Sequence, residues 1–241
     1  MSRVELSLVM PAYNEGDSIE GALDTLDRVV KDAGLRYEIV VVDDGSLDST
    51  RLKAINYASR NGHVRVVGYS KNVGKGYAVK EGFMQATGDA VVFVDSDMEI
   101  DLGKVSSYVE ALQHGDIAIA SKWHPESTVE MPLARRVLGH GFNLLVRLMT
   151  GVKLRDTQTG LKALRKSAFE DIFPRLAVKR YAFDVELLAV ANLYGLKVVE
   201  LPVSIRMRGL FHPKDVWRMF VDLLGITYRL RVIRWYQRAM K

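Results

Sequence analysis

Three carboxylates stand within five residues at the end of an apolar run: Asp95, Asp97 and Glu99 follow "AVVFV", residues 90–94. Val91, Val92, Phe93 and Val94 are β-branched or aromatic, and such a run predicts a strand buried on both faces of a parallel sheet. Carboxylates this close repel and raise one another's pKa unless a cation or several N–H donors compensate. Mg²⁺ and Mn²⁺ prefer hard oxygen ligands, usually one or two carboxylates together with substrate phosphates and water. Asp95, Asp97 and Glu99 are therefore candidate metal ligands in an Asp-x-Asp arrangement suited to a nucleotide diphosphate. Asp97 would bind the metal directly, Asp95 the metal or a ribose, and Glu99 would supply a further oxygen.

The elements that must position these groups follow from periodicity. Strands are expected at Val4 to Met10, Tyr37 to Val42, Val64 to Tyr69, Ala90 to Val94 and Ile117 to Ser121, with helices at Ser18 to Lys31, Asp48 to Arg60, Lys75 to Ala86 and Gly103 to Gln113. Alternating strands and helices imply βαβ units and a mostly parallel sheet, whose ligands sit at the carboxyl ends of the strands. The loops "MPAYNEG", "VVDDGSLDST", "SKNVGKGYA" and "VDSDME" follow the first four strands, so four polar loops share one edge. Any one alone is an ordinary solvated turn; four in register are a site. Further on, Leu133 to Met149 reads as a helix carrying Arg135, Arg136 and Arg147. "LRDTQTGLKALR" reads as a turn entering a strand, "YAFDVELLAVANLYG" as a helix and "LKVVELPVSI" as a last strand.

Composition narrows the class. The chain has 241 residues, 48% of them hydrophobic, and no cysteine, which excludes a disulfide scaffold and thiolate metal sites. The N-terminal apolar run is short and interrupted by Glu5, and reads as a strand rather than a signal peptide. No window approaches the ~18 to 20 consecutive apolar residues of a membrane span. The net charge of +5 is unevenly placed: residues 206–241 carry nine basic residues against Asp215 and Asp222, or +7, leaving −2 for the other 205 residues. Trp217, Tyr228, Trp235 and Tyr236 alternate there with arginines. That pattern suits either a terminal helix packed on the domain or an interfacial amphipathic helix. No nucleic-acid-binding motif accompanies the basic residues, so no nucleic-acid partner is expected.

"GYSKNVGKGY" is not a phosphate loop of the ATPase kind. Gly68 and Gly74 are separated by five residues rather than four, and Gly76 stands where a Ser or Thr must reach Mg²⁺. It reads as a Gly-rich helix entry with Lys75 near a substrate phosphate.

The ordered motifs "MPAYNE", "VVVDDGSLDST", "KNVGKG" and "VDSDME" resemble the nucleotide-sugar half of glycosyltransferase family two, an α/β GT-A fold with a Rossmann-like, mostly parallel sheet flanked by helices. "RDTQTGLKALR" and "RYAFDVELLAVA" are similar to polyprenyl (dolichyl) phosphate sugar synthases, and to their glucose-transferring branch in particular. The resemblance implies a catalytic domain over residues 1–205 and a basic amphipathic membrane-surface extension over 206–241. It implies that Pro11, Tyr13, Glu15, Val42 and Asp44, with Lys75 and Asp95, bind the donor nucleotide, and that Asp97, Lys122 and Arg135 serve catalysis by holding metal and phosphates. Arg136, Arg206 and Arg208 would meet the acceptor phosphate, and Asp156 and Gln158 the sugar hydroxyls or, equally, a capped turn supporting the site. Asp184 and Glu186 are expected to be structural. Three departures stand out: Lys122 where Arg is usual, and Gly139 and Glu99 where the mannose branch has Ser and Gln. Lys is a point charge rather than a bidentate fork.

The implied chemistry is inverting transfer of a hexose, glucose from UDP-glucose favoured, to polyprenyl phosphate with Mg²⁺ or Mn²⁺. The acceptor would be reached by peripheral contact with the cytoplasmic membrane face. Transfer to a sugar hydroxyl needs a positioned base; a phosphate nucleophile is already ionised, its second pKa being about 6 by analogy with phosphoserine. The alternatives are GDP-mannose or UDP-N-acetylglucosamine as donor, transfer to a glycan hydroxyl with Asp156 as base, or a catalytically silent module that binds nucleotide sugar.

Overall fold

A computed structural model of the chain describes residues 4–96, 99–207 and 213–238. Its elements run β1 (Leu6–Ala12), α1 (Ile19–Asp32), β2 (Tyr37–Asp43), α2 (Thr50–Ala58), β3 (Val64–Gly68), α3 (Lys75–Gln85), β4 (Ala90–Phe93), α4 (Val105–Glu110), β5 (Ile117–Ser121), β6 (Thr128–Glu130), α5 (Leu133–Thr150), β7 (Lys162–Arg165), α6 (Lys166–Phe169), α7 (Phe183–Leu193), β8 (Val198–Pro202), β9 (Ser204–Arg206) and α8 (Pro213–Thr227).

Seven strands form one sheet in the order β3-β2-β1-β4-β7-β5-β8. Side chains alternate across a strand, so the sequence itself sorts the core into two layers. Val9, Val40, Val42, Val91 and Phe93 pack with α3, α7 and α8 on one face. Leu6, Leu8, Met10, Ile39, Val41 and Val92 pack with α1, α2 and α4 on the other. Phe83 of α3 stacks on Phe173 at 3.7 Å, an aromatic pair contributing about 0.5–1.5 kcal/mol beyond its area.

Two features depart from the alternating pattern. β7 runs antiparallel to both β4 and β5 and lies between them. The last apolar run, expected as one strand, breaks at Val203. Its first part, β8, completes the large sheet beside β5, and its second, β9, pairs with β6 in a separate two-stranded sheet.

The C-terminal helix serves two surfaces. α8 buries Met219, Leu223 and Ile226, and the following π-turn at Tyr228–Val232 buries Leu230; Leu223, Ile226, Leu230 and Tyr236 join the same apolar cluster as α7. Glu186 of α7, fully buried, anchors them: it accepts from the Ala177 and Val178 N–H groups at 2.8 Å each, from Arg229 at 3.2 Å and from the Tyr236 hydroxyl. The outer side of α8 and its extension leaves Trp217, Val221, Leu224, Tyr228, Val232 and Trp235 exposed.

Candidate active site

The carboxyl ends of β1, β2 and β4 open on a cleft of about 570 Å³, within the ~300–1,000 Å³ usual for small-molecule sites. At its acidic end Asp95 follows β4. The Lys75 ammonium, from the first residue of α3, lies 2.6 Å from Asp95 Oδ1. Two glycines make this approach possible. Gly74 adopts φ +126°, and a Cβ there would run into the Lys179 carbonyl; a Cβ on Gly160 would overlap the Asp95 carboxylate.

Asp44, 3% exposed at the end of β2, pins the neighbouring loop. It accepts from the Tyr69 hydroxyl at 2.6 Å, from Asn72 Nδ2 at 2.9 Å and from the Val73 and Gly74 N–H groups at 2.9 Å each. Burial and the Asp44 carboxylate together push the Tyr69 hydroxyl well above the usual phenol range, so it stays a donor.

Two further lysine–aspartate pairs support the floor. Lys122, just beyond β5, reaches Asp156 at 2.8 Å, and the Thr159 hydroxyl stands 2.7 Å from its ammonium. Burial alone would raise the Asp156 carboxyl. The Lys122 ammonium, the Thr159 hydroxyl and the Gln158 N–H outweigh it and hold the carboxyl down at about 2. Lys162 of β7, buried between β4 and β5, pairs with Asp184 of α7 at 2.8 Å and donates to the Thr159 carbonyl at 2.6 Å. Arg135 stands 4.0 Å from Glu99 where α5 meets the cleft.

Of the residues expected from sequence, Pro11, Tyr13, Glu15, Asp44, Lys75, Asp95, Glu99, Lys122, Arg135 and Gln158 line this one cleft. Asp97 and Arg208 lie outside the described residues. Four others sit elsewhere. Val42 is fully buried with its side chain facing Gly82 in the core. Asp156 is buried beneath the cleft, in the supporting-turn role. Arg136 is exposed on α5. Arg206 forms a two-pronged ion pair with Glu130 at 2.5 and 3.1 Å, which occupies its guanidinium on the small sheet.

Sequence reasoning passed over Asn72, Trp123, Arg180 and Tyr181, all of which line the cleft, and Asp184 reaches it too. Trp123 follows a strand end, so the rule that ligands sit at the carboxyl ends of strands would have found it. Arg180 and Tyr181 carry no such signal, since only the packing of residues 179–180 against Gly74 and Gly76 brings them in.

Among the described residues no group of three His, Cys, Asp or Glu is placed to hold a metal ion. Asp95 and Glu99 nevertheless present carboxylates to the same cleft, a donor chemistry that fits Mg²⁺ or Mn²⁺.

A mostly parallel sheet whose strand ends gather carboxylates and lysines around such a cleft is the arrangement of a GT-A glycosyltransferase. The sequence matches Glycosyl transferase family 2 over residues 7–173, and the chain belongs to that family. It is 35% identical over 216 residues to human dolichyl-phosphate beta-glucosyltransferase, covering 83% of this chain and 67% of that protein. It is 32% identical over 250 residues to dolichyl-phosphate beta-glucosyltransferase ALG5C of Trichomonas vaginalis, covering 97% and 74% respectively. Glucosyl-3-phosphoglycerate synthase from Mycobacterium tuberculosis, solved with Mn²⁺, UDP-glucose and phosphoglyceric acid, shares the fold at a TM-score of 0.70 and 20% identity, over 93% of this chain and 79% of that one.

Proposed function

We propose that this glycosyltransferase moves glucose from UDP-glucose to a dolichyl or polyprenyl phosphate, with inversion, at the cytoplasmic face of a membrane. The observation that carries the reading is the adjacency of three surfaces: an acidic strand end, a set of cations and an exposed apolar face. Asp95 and Glu99 lie at one end of the cleft, and Lys75, Lys122, Arg135 and Arg180 line it. α5, α8 and the π-turn after it then leave Leu133, Leu144, Leu148, Trp217 and Val232 exposed, with Arg136, Arg147, Arg218 and Arg231 exposed on the same elements. Apolar and basic groups on one face suit an anionic lipid surface. No helix among the described residues is long and apolar enough to cross a membrane, so this reading makes the contact peripheral. The relatives' names supply the acceptor and the sugar.

In the reaction an acceptor phosphate oxygen forms a bond to the anomeric carbon while the bond from that carbon to the donor diphosphate breaks, its electron pair leaving with UDP. No proton need move, since the acceptor is already ionised. Lys75 and Arg180 flank the position of the diphosphate, and Arg135 with Lys122 draws the acceptor phosphate into line, so rate comes from proximity and electrostatics. Asp95 and Glu99, with Asp97, would hold Mg²⁺ or Mn²⁺, which supplies charge neutralisation for the leaving diphosphate. A glycan hydroxyl as acceptor is disfavoured: Asp156, the base such a reaction would use, is buried against Lys122 with its carboxyl at about 2.

The test is transfer of radiolabel from UDP-glucose, GDP-mannose and UDP-N-acetylglucosamine to a short polyprenyl phosphate, with Mg²⁺ or Mn²⁺ and then with EDTA. Lipid-soluble label from UDP-glucose, lost in EDTA, is expected. Label from another donor overturns the sugar, and no lipid-linked label from any donor overturns the acceptor.

A further inference from the structure

Arg180 reaches the cleft, on the side of Lys75 and Asp95, from a segment before α7 that belongs to no helix or strand, residues 176–182. A backbone without ladder bonds keeps a side chain in register only where other groups grip it. Two charged residues do so here. Lys80 of α3 donates to the Pro174 and Leu176 carbonyls at 2.8 and 3.0 Å. Glu186 of α7 accepts from the Ala177 and Val178 N–H groups through Oε2. An extended chain advances roughly 3.3–3.6 Å per residue, so Arg180 lies within ~7 Å of the second pinned N–H. Between them the Lys179 carbonyl accepts from the Tyr77 N–H at 3.1 Å, which seats the segment on the first turn of α3.

Glu186 divides its carboxylate between two partners. Oε2 takes this segment, while Oε1 takes Arg229 at 3.2 Å and the Tyr236 hydroxyl, and Arg229 Nε donates to that hydroxyl at 2.9 Å. Complete burial of a carboxylate is unfavourable, and where space alone had to be filled an apolar side chain would serve at least as well. A charge with four donors from two separate parts of the chain instead fixes how those parts sit. Asp222 of α8 belongs to the same cluster: burial pushes its carboxyl up, and the nearby Arg229 and Arg180 guanidiniums oppose the rise. We propose that Glu186 is a positioning residue for donor binding, which by joining residues 177–178 to Arg229 and Tyr236 holds the Arg180 guanidinium at the donor diphosphate. The inference rests on the diphosphate position proposed above and adds the group that sets it.

The experiment reads binding to the intact protein with Mn²⁺, of UDP by calorimetry and of uridine, which lacks the phosphates, by ligand-observed NMR. Glu186→Gln leaves one acceptor oxygen where two are used. It is expected to weaken UDP by about tenfold, the scale of one charge-assisted hydrogen bond, with uridine affinity kept within about twofold. Tyr236→Phe keeps the ring and removes one donor, and is expected to give the same selective loss by about threefold. It carries the test where circular dichroism shows Glu186→Gln unfolded. Arg180→Ala is itself expected to weaken UDP by about tenfold, and in that background neither substitution weakens UDP further, because a residue acting through Arg180 has nothing left to position. A loss that persists in full in that background, or that falls equally on uridine, overturns the inference and leaves Glu186 as packing. Unchanged UDP affinity in the folded variants overturns it as well, with the proposed diphosphate position standing. Unchanged UDP affinity in Arg180→Ala alone overturns that position, and this inference with it.

Discussion

The Lys75 ammonium sits 2.6 Å from Asp95 Oδ1, on the carboxylate that the first turn after β4 presents to the cleft. A cation supplied by the chain thus occupies a face of Asp95, so under the proposed metal role Lys75 and a divalent ion would compete there until a donor diphosphate gave Lys75 another anion to meet. Lys75→Met is expected to tighten Mn²⁺ binding without nucleotide by several-fold, read by water-proton relaxation, and to lower kcat/KM by about 10²-fold, the scale of losing one preorganised charge contact. Weaker Mn²⁺ binding in the variant would contradict the competition.

Gly160 leaves no room for a side chain beside Asp95. In Gly160→Ala the added methyl group must push the carboxylate aside or shift β7. Displacement of about 1 Å at such a position costs on the order of 10²-fold in rate. The expected variant is folded by circular dichroism and has lost at least that much activity; near-normal activity would place Asp95 outside the chemistry.

Lys122 and Asp156 form a pair whose side chains are 9% and 3% exposed. Asp156→Asn leaves a buried ammonium without its counter-charge and is expected to destabilise the protein by about 3–5 kcal/mol in denaturant unfolding at pH 7. The folded-state pKa of about 2 lies below the ordinary 3.8, so the pair's contribution is complete above about pH 4 and disappears as pH falls toward 2. The gap between wild type and variant should therefore narrow across that window, and a gap that does not narrow by pH 2 would assign the effect to packing.

Leu148 on α5 and Val232 beyond α8 are each 66% exposed, and Arg231 joins the two elements by donating to the Leu148 carbonyl at 3.2 Å. Leu148→Asp with Val232→Asp is expected to reduce sedimentation with anionic phosphatidylserine vesicles by about tenfold or more, since each buried apolar side chain contributes roughly 1.5–3 kcal/mol. UDP-glucose binding should be unaffected. Unchanged vesicle binding would place the membrane contact elsewhere.

Much of this was legible in the chain. The run from Val91 to Val94 is apolar on both faces because it is central, and the change to Asp95 marks the point where the strand leaves the sheet. The same logic placed Pro11, Tyr13 and Asp44 on one edge, and all three line the cleft. Arg206 was harder to read. An arginine near a site looks the same in sequence whether it meets a ligand or, as here, Glu130.

The sequence by itself determined the strands of the large sheet, their two apolar faces and the loops that carry the chemistry, because side-chain alternation and turn residues act over a few positions. Only the tertiary structure decided that β7 inserts antiparallel between β4 and β5, bringing Gly160 against Asp95 and Lys162 beneath Asp184. It also decided which carboxylates are already neutralised by lysines, and which apolar side chains of α5 and α8 stay exposed. Those outcomes depend on contacts between residues far apart in the chain, where burial and charge pairing compete, and no local pattern encodes which partner wins.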